Sequence, residues 1–237
     1  MPGNDREIAT RDWALVDSIP GWLTFDQAHE LARLIQRAPT ASVVEIGSHQ
    51  GRSTATLALA REDARVTAVD PFVTARLFAG QTIRDKFLAN LDRLDIAGQV
   101  TLLTMTSNAA LDAWDADDQL DLLYIDGKHD TLSLLRDLRW VEHVRGGGHV
   151  AVHDAFSSLG VTLGLLIALP TSRRLTLTHR IGSLAVFDAR APHGRERLRA
   201  LGHLPWFLRN LIIKVLLRLR LRGLTEYLGH SGPFDPY

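Results

Sequence analysis

Chemistry-bearing residues cluster in a few short runs of this 237-residue chain. In Glu45-Ile46-Gly47-Ser48-His49-Gln50-Gly51-Arg52-Ser53, two glycines four apart follow an apolar β-branched run and open a helical pattern. Such a junction permits a tight turn and close backbone approach to a ligand, and the helix start offers free N–H groups to a carboxylate or phosphate. An ordinary strand-to-helix turn reads the same way, and the spacing is not the G-x-G-x-x-G of a dinucleotide site. Asp70, 25 residues beyond Glu45, closes the next apolar run ahead of Pro71. An acid at that place can accept hydrogen bonds from ribose hydroxyls. A third run ends near Thr106-Ser107-Asn108, polar groups that suit the edge of a base.

Two later runs end in Tyr124-Ile125-Asp126-Gly127-Lys128-His129 and Val152-His153-Asp154. If these are adjacent parallel strands, Asp126, His153 and Asp154 meet at one sheet edge, above the crevice lined by the glycine turn. Two carboxylates and an imidazole suit a divalent, oxygen-preferring ion such as Mg²⁺ or Mn²⁺. Each aspartate could equally cap the helix that follows it. His129 lies three residues beyond Asp126, one helical turn, so its ring can face the same crevice. An imidazole titrating near about pH 6.5 suits the role of base toward an alcohol made acidic by a metal. Arg145-Gly146-Gly147-Gly148 reads as the end of a helix turning into the fifth strand.

The elements needed to position these residues alternate as in an α/β domain. Expected strands are Ser42–Ile46, Arg65–Val69, Val100–Thr104, Leu120–Ile125 and His149–His153, with helices at Ser53–Glu62, Ile83–Leu94, Asn108–Trp114, Leu132–His143 and Leu159–Ala168. Several strands are almost wholly apolar, as in a parallel sheet covered on both faces. Leu175–Thr178 and Ser183–Phe187 flank Ile181-Gly182 as a hairpin, which makes the last strand antiparallel. Thr24-Phe25-Asp26-Gln27 fits a capping box and opens a helix to about Arg37.

This set of strand ends resembles the class I S-adenosylmethionine-dependent methyltransferases. The E-x-G-x-x-x-G-x-S turn is similar to the catechol O-methyltransferase branch, and more so to the macrocin O-methyltransferase-like group of bacterial sugar methyltransferases. The resemblance covers about residues 18–190. It implies a Rossmann-like, seven-stranded sheet with helices on both faces and a reversed last strand, and S-adenosylmethionine as cofactor with Mg²⁺ or Mn²⁺. It implies that Glu45, Gly47, Ser48, Gly51, Ser53, Asp70, Thr106, Ser107 and Asp126 form the cofactor site. Within it Gly47 passes the methionine moiety, Ser53 holds its carboxylate, Asp70 the ribose and Ser107 the adenine. It places metal ligands at Asp126, His153 and Asp154, and catalysis at His129, Asp126 and His153. Two positions depart from the family pattern: Thr106 stands where an acid is usual, and so does His153. The implied activity is methylation of a sugar hydroxyl of a glycoside or polysaccharide, with catechols and phenols as the alternative acceptors. An NAD-dependent oxidoreductase would share the fold and Asp70 but lacks its glycine pattern here, and a non-catalytic membrane-associated protein would make the C-terminus the working part.

Composition bounds the rest. Length and 46% hydrophobic residues fit one large domain with an extension. Residues 1–40 read as a helical lid or cap, 41–190 as the catalytic domain and 191–237 as a basic amphipathic extension. Twenty-seven basic residues balance 27 acidic ones, which removes a global electrostatic case for nucleic acid. The absence of cysteine excludes disulfides, thiolate metal sites and a thiol nucleophile. No run of 18 uncharged apolar residues occurs, so a cytoplasmic location is expected. Leu204–Arg222 carries too many apolar residues for a solvated helix. A second subunit, giving a homodimer, is expected to cover part of it, with contact to a membrane surface as the other reading.

Overall fold

The computed structural model describes residues 13–73 and 79–230. Its seven strands are β1 (Ser42–Ile46), β2 (Arg65–Val69), β3 (Val100–Leu103), β4 (Leu120–Ile125), β5 (Val144–Val152), β6 (Thr176–Ile181) and β7 (Leu184–Asp188). They form one sheet in the order β3-β2-β1-β4-β5-β7-β6. The first five are parallel, and β7 runs antiparallel to both β5 and β6. The expected Rossmann-like fold with a reversed last strand is therefore what the chain adopts. Strand order reverses between β1 and β4, and the crevice beyond their carboxyl ends is where such sheets bind ligands.

Helices α1 (Phe25–Gln36), α2 (Arg52–Leu59), α3 (Ala79–Arg93), α4 (Ser107–Asp112), α5 (Thr131–Asp137) and α6 (Leu159–Ala168) pack around the sheet. Two apolar clusters, one holding Leu31, Leu57 and Phe87 and the other Trp140, Phe156 and Leu165, form the core. β4, apolar but for Asp121, is buried along its whole length, as suits a central parallel strand. The capping box at Thr24 is present, with Gln27 as its third helical residue. A stretch of 3-10 turns, Gly194–His203, leads to α7 (Leu204–Arg218) and α8 (Arg222–Tyr227).

Two expectations change. The glycine run does not end a helix: β5 starts at Val144 and carries Arg145 to Gly148 within it. Pairing with β4 jumps there from Leu120↔Val144 to Leu122↔His149. Gly147 takes φ +83°, so the run is a bulge that only glycines allow. The helical pattern at 132–143 splits into α5 and a 3-10 stretch from Leu138 to His143.

Candidate active site

The turn after β1 is built by its own glycines. Gly47 sits at φ +88°, and a Cβ there would lie 2.3 Å from the Asp126 carbonyl oxygen, so only glycine lets the β1 and β4 ends meet so closely. Gly51, at φ +91°, opens α2. Asp70 fastens the turn from the side: its Oδ2 accepts the N–H groups of Ser48 and His49, both at 2.9 Å, and its Oδ1 accepts that of Phe72 at 2.7 Å. Arg52 ties the N-terminal segment to the turn, donating to Leu23 O and Ile19 O and pairing with Asp17 at 2.6 Å. Within the stretch read as a lid, residues 17–23 are thus tied to the turn, with Trp22 exposed and its ring 5.6 Å from that of His49.

Two adjoining clefts share Gly47, His49, Asp126 and Gly127. The larger, about 640 Å³, is bounded by Asp70, Val73, Thr106, Ser107 and Asp137. The smaller, about 240 Å³, lies between Trp22, Ser48, Ser53 and His129. Glu45 and Gly51 belong to neither. Glu45 is fully buried beneath the turn, where its Oε2 accepts the Thr54 hydroxyl, and burial pushes its carboxyl up to about 7. It supports the turn from below, because β1 is central and points this side chain into α2. Thr106 caps α4 through Ala109 N, and the Ser107 hydroxyl donates to Asp137. Burial raises Asp137 to about 6.

At the ends of β4 and β5, Asp126, His153 and Asp154 offer donor atoms all within 4.8 Å of one another. His153 Nδ1 lies 3.4 Å from Asp126 Oδ1 and 3.7 Å from Asp154 Oδ1. Asp154 adopts φ +56°, a conformation Asp tolerates better than most residues. His129 completes the group: its Nδ1 is 3.1 Å from Asp154 Oδ2 and its Nε2 3.5 Å from Asp126 Oδ1. It reaches them from a loop rather than a helix, because Asp130 caps α5 and the helix begins only at Thr131.

Burial would raise the Asp126 carboxyl, but the charge of His153 and hydrogen bonds from His129 and His153 hold it well below the carboxylate range. Burial likewise opposes charge on His153, yet Asp126 and Asp154 push it up to about 9. The hydrogen bond to Asp126 raises His129 against its own burial. The carboxylate pair therefore attracts positive charge. Two hard oxygen donors and an imidazole nitrogen in this field fit a divalent cation.

Three residues of the site escape sequence reasoning. Gln27, buried in α1, places Oε1 3.2 Å from His153 Nε2, while its Nε2 donates to Ser183 Oγ and Ile181 O. With the amide so oriented, Oε1 accepts from His153 Nε2–H, and Nδ1 is the nitrogen turned to the carboxylates. The Tyr124 hydroxyl donates to Asp126 Oδ2 at 3.2 Å, and burial keeps it protonated. Asp137 borders the larger cleft. The capping box marks Gln27, and nothing in the sequence shows its second partner.

Comparison with known proteins agrees with this fold. The methyltransferase-domain family matches residues 44–155, the stretch holding the glycine turn, Asp70, Asp126, His153 and Asp154. The chain has the class I methyltransferase fold, and its middle stretch matches the methyltransferase-domain family. No curated protein matches it by sequence. Among solved structures it is similar to a proposed O-methyltransferase from Klebsiella pneumoniae (19% identity, covering 81% of this chain and 92% of that one, TM-score 0.60). It is also similar to an O-methyltransferase from Bacillus cereus in complex with S-adenosylhomocysteine (17%, 79% and 91%, TM-score 0.56). A third is TomG from Streptomyces achromogenes, an O-methyltransferase of tomaymycin synthesis in complex with S-adenosylmethionine (15%, 81% and 91%, TM-score 0.58). At these identities the likeness is one of fold.

Proposed function

We propose that the protein is a metal-dependent S-adenosylmethionine O-methyltransferase whose acceptor is a sugar hydroxyl. The observation that carries this reading is the Asp126, His153 and Asp154 cluster beside the glycine turn, with His129 in contact with both aspartates. In this reading the larger cleft takes the adenosyl portion. Asp70 keeps one lone pair, on Oδ1, for the ribose, and Gly47, Ser48 and Ser53 face the methionine end. Asp126, Asp154 and His153 Nδ1 would hold Mg²⁺ or Mn²⁺. A cation there supplies the positive charge that lowers the pKa of an acceptor hydroxyl. Asp154 accepts His129 Nδ1–H and so orients the ring, and in the neutral imidazole Nε2, which faces Asp126 Oδ1, is the nitrogen that takes the acceptor's proton. The oxygen's electron pair then forms the new C–O bond to the methyl carbon as the C–S bond breaks, and S-adenosylhomocysteine leaves. Residues around the crevice contribute mainly by positioning the two reactants.

The exposed indole of Trp22 at the mouth of the smaller cleft offers a flat apolar face to the C–H side of a sugar ring. The test is mass spectrometry for the gain of one methyl group over a panel of glycosides and catechols, with S-adenosylmethionine and Mg²⁺. Methylated glycosides that vanish with EDTA, and with Asp126→Asn or Asp154→Asn, are expected. Methylation of catechols alone would keep the mechanism and replace the acceptor, and full turnover under chelation would remove the metal.

A further inference from the structure

Helix α7 packs on the body of the protein through Trp206, Phe207 and the wholly buried Ile213, yet it also turns polar side chains inward: Asn210, wholly buried, donates to Phe156 O at 3.1 Å, and Lys214 Nζ donates to Ser157 O at 2.9 Å. Arg209 donates to Leu228 O at 2.8 Å and lies over the Trp206 ring. The apolar residues Leu208, Leu211, Ile212, Val215 and Leu219 are exposed instead. Their spacing of i, i+3, i+4, i+7 and i+11 places them on one outward stripe. Past it the chain reads Arg218-Leu219-Arg220-Leu221-Arg222-Gly223-Leu224, and every one of these residues is exposed. No ion pair engages Arg218, Arg220 or Arg222 among the described residues. Between positions 204 and 230 five Arg and Lys residues stand against one acid, Glu226.

We propose that α7 and α8 form a peripheral docking surface for a membrane containing anionic lipids. An outward apolar stripe needs cover from water, and interleaved leucines and guanidiniums fit a lipid interface, with the leucines entering the acyl boundary and the arginines meeting headgroup phosphates. Charge decides against a second copy of the chain. An isologous contact presents the same surface on both sides, and each arginine run would meet a face whose one acid is Glu226. The 15 residues of α7 rise about 22 Å, short of the ~30 Å hydrocarbon layer. The helical run from Gly194 to Arg218 reaches spanning length only through 3-10 turns. Two arginines of those turns bond to the domain, Arg197 to Pro170 O and Ser172 O and Arg199 to Leu177 O. Asn210 and Lys214 grip the carbonyls of Phe156 and Ser157, just beyond Asp154, so docking would fix the crevice relative to the surface.

Flotation of the full-length protein with vesicles of phosphatidylcholine, with and without phosphatidylglycerol, tests this. The protein is expected to float only with the anionic vesicles and to be released by salt at about 0.5 M, where screening is short-ranged. Replacing Arg218, Arg220 and Arg222 by Gln should weaken partition about 100-fold, at about fivefold for each cation near an anionic surface. A variant with Leu211→Ser, Val215→Ser and Leu219→Ser should lose binding while keeping its thermal transition. Should it fail to fold, the arginine variant still decides. Absence of flotation, or flotation equal on neutral vesicles and indifferent to salt, would overturn the proposal. So would a dimer in light scattering that the serine variant splits.

Discussion

Gln27 is the residue on which the proposed metal centre would depend without supplying a ligand. Its amide is held from three sides, by Thr24 N, Ser183 Oγ and Ile181 O, which leaves Oε1 fixed toward His153 Nε2. Partners of this kind set the tautomer of a ligating imidazole, and their loss costs metal affinity about 10- to 100-fold. Gln27→Leu is therefore expected to weaken Mn²⁺ binding by that factor in calorimetry. The control is Thr24→Ala, which removes the helix cap at about 1 kcal/mol and leaves His153 untouched. If both variants lose stability alike and neither loses metal affinity, Gln27 serves the helix alone. At this scale the aspartates and histidines were legible in the sequence, because their place at the ends of apolar runs is distinctive. It hid Gln27, whose partner is 126 positions away. It also ranked Glu45 with the ligand contacts, since a strand position next to a glycine turn does not reveal which layer the side chain enters.

Among the elements, the helix starts govern where the site's loops sit. Gly160 lies in the first turn of α6, and a Cβ there would come within 2.3 Å of the His129 carbonyl and 2.8 Å of Asp130 Cα. Gly160→Ala should push away the loop that carries His129 and lower kcat by at least about tenfold, more than a shift in Tm would explain. A circular dichroism melt beside single-turnover kinetics separates the two effects, and an unchanged kcat would detach α6 from catalysis. Asp137, at the end of α5, gives a pH test. Its folded pKa of about 6 lies above the usual carboxyl value, so the protonated form is favoured on folding. Its contribution to stability is present at low pH and is lost as pH climbs through about 6. Asp137→Asn keeps an acceptor for Ser107 and removes the buried charge. It should be more stable than the parent by about 1–3 kcal/mol at pH 8, with the gap closing near pH 4. A gap that does not vary with pH would mean that the carboxyl is hydrated. Strand positions were legible because apolar β-branched runs between glycines leave little choice. The bulge in β5 was not, since Arg145 to Gly148 read as punctuation until β4 supplied the pairing.

At the scale of the whole molecule, the sheet order brings three separate sequence runs to one crevice, and that convergence has a thermodynamic consequence. Gly47 and Asp126 touch through their backbones across β1 and β4, while Asp126 also stands in the cluster that could hold a metal, so the two clefts share a wall. The class of fold could be read in advance because alternating strands and helices admit few topologies. The outward apolar stripe of α7 could not, as a helical wheel shows which residues share a face and not which face turns inward. Since the crevice is formed by the folded sheet, ligands that bind there stabilise the folded chain by RT ln(1 + [L]/Kd), about 2.7 kcal/mol at a hundredfold excess over Kd. S-adenosylhomocysteine should therefore raise Tm in the presence of EDTA, because the turn and Asp70 need no cation to hold their shape. Mn²⁺ should raise it separately, by relieving the repulsion between the Asp126 and Asp154 carboxylates. Asp154→Asn should erase the second shift and spare the first, for Asp154 borders neither the turn nor the larger cleft. If that variant loses both shifts together, the two halves of the crevice form one cooperative site, and the separate roles assigned to the ends of β1 and β5 would have to be merged.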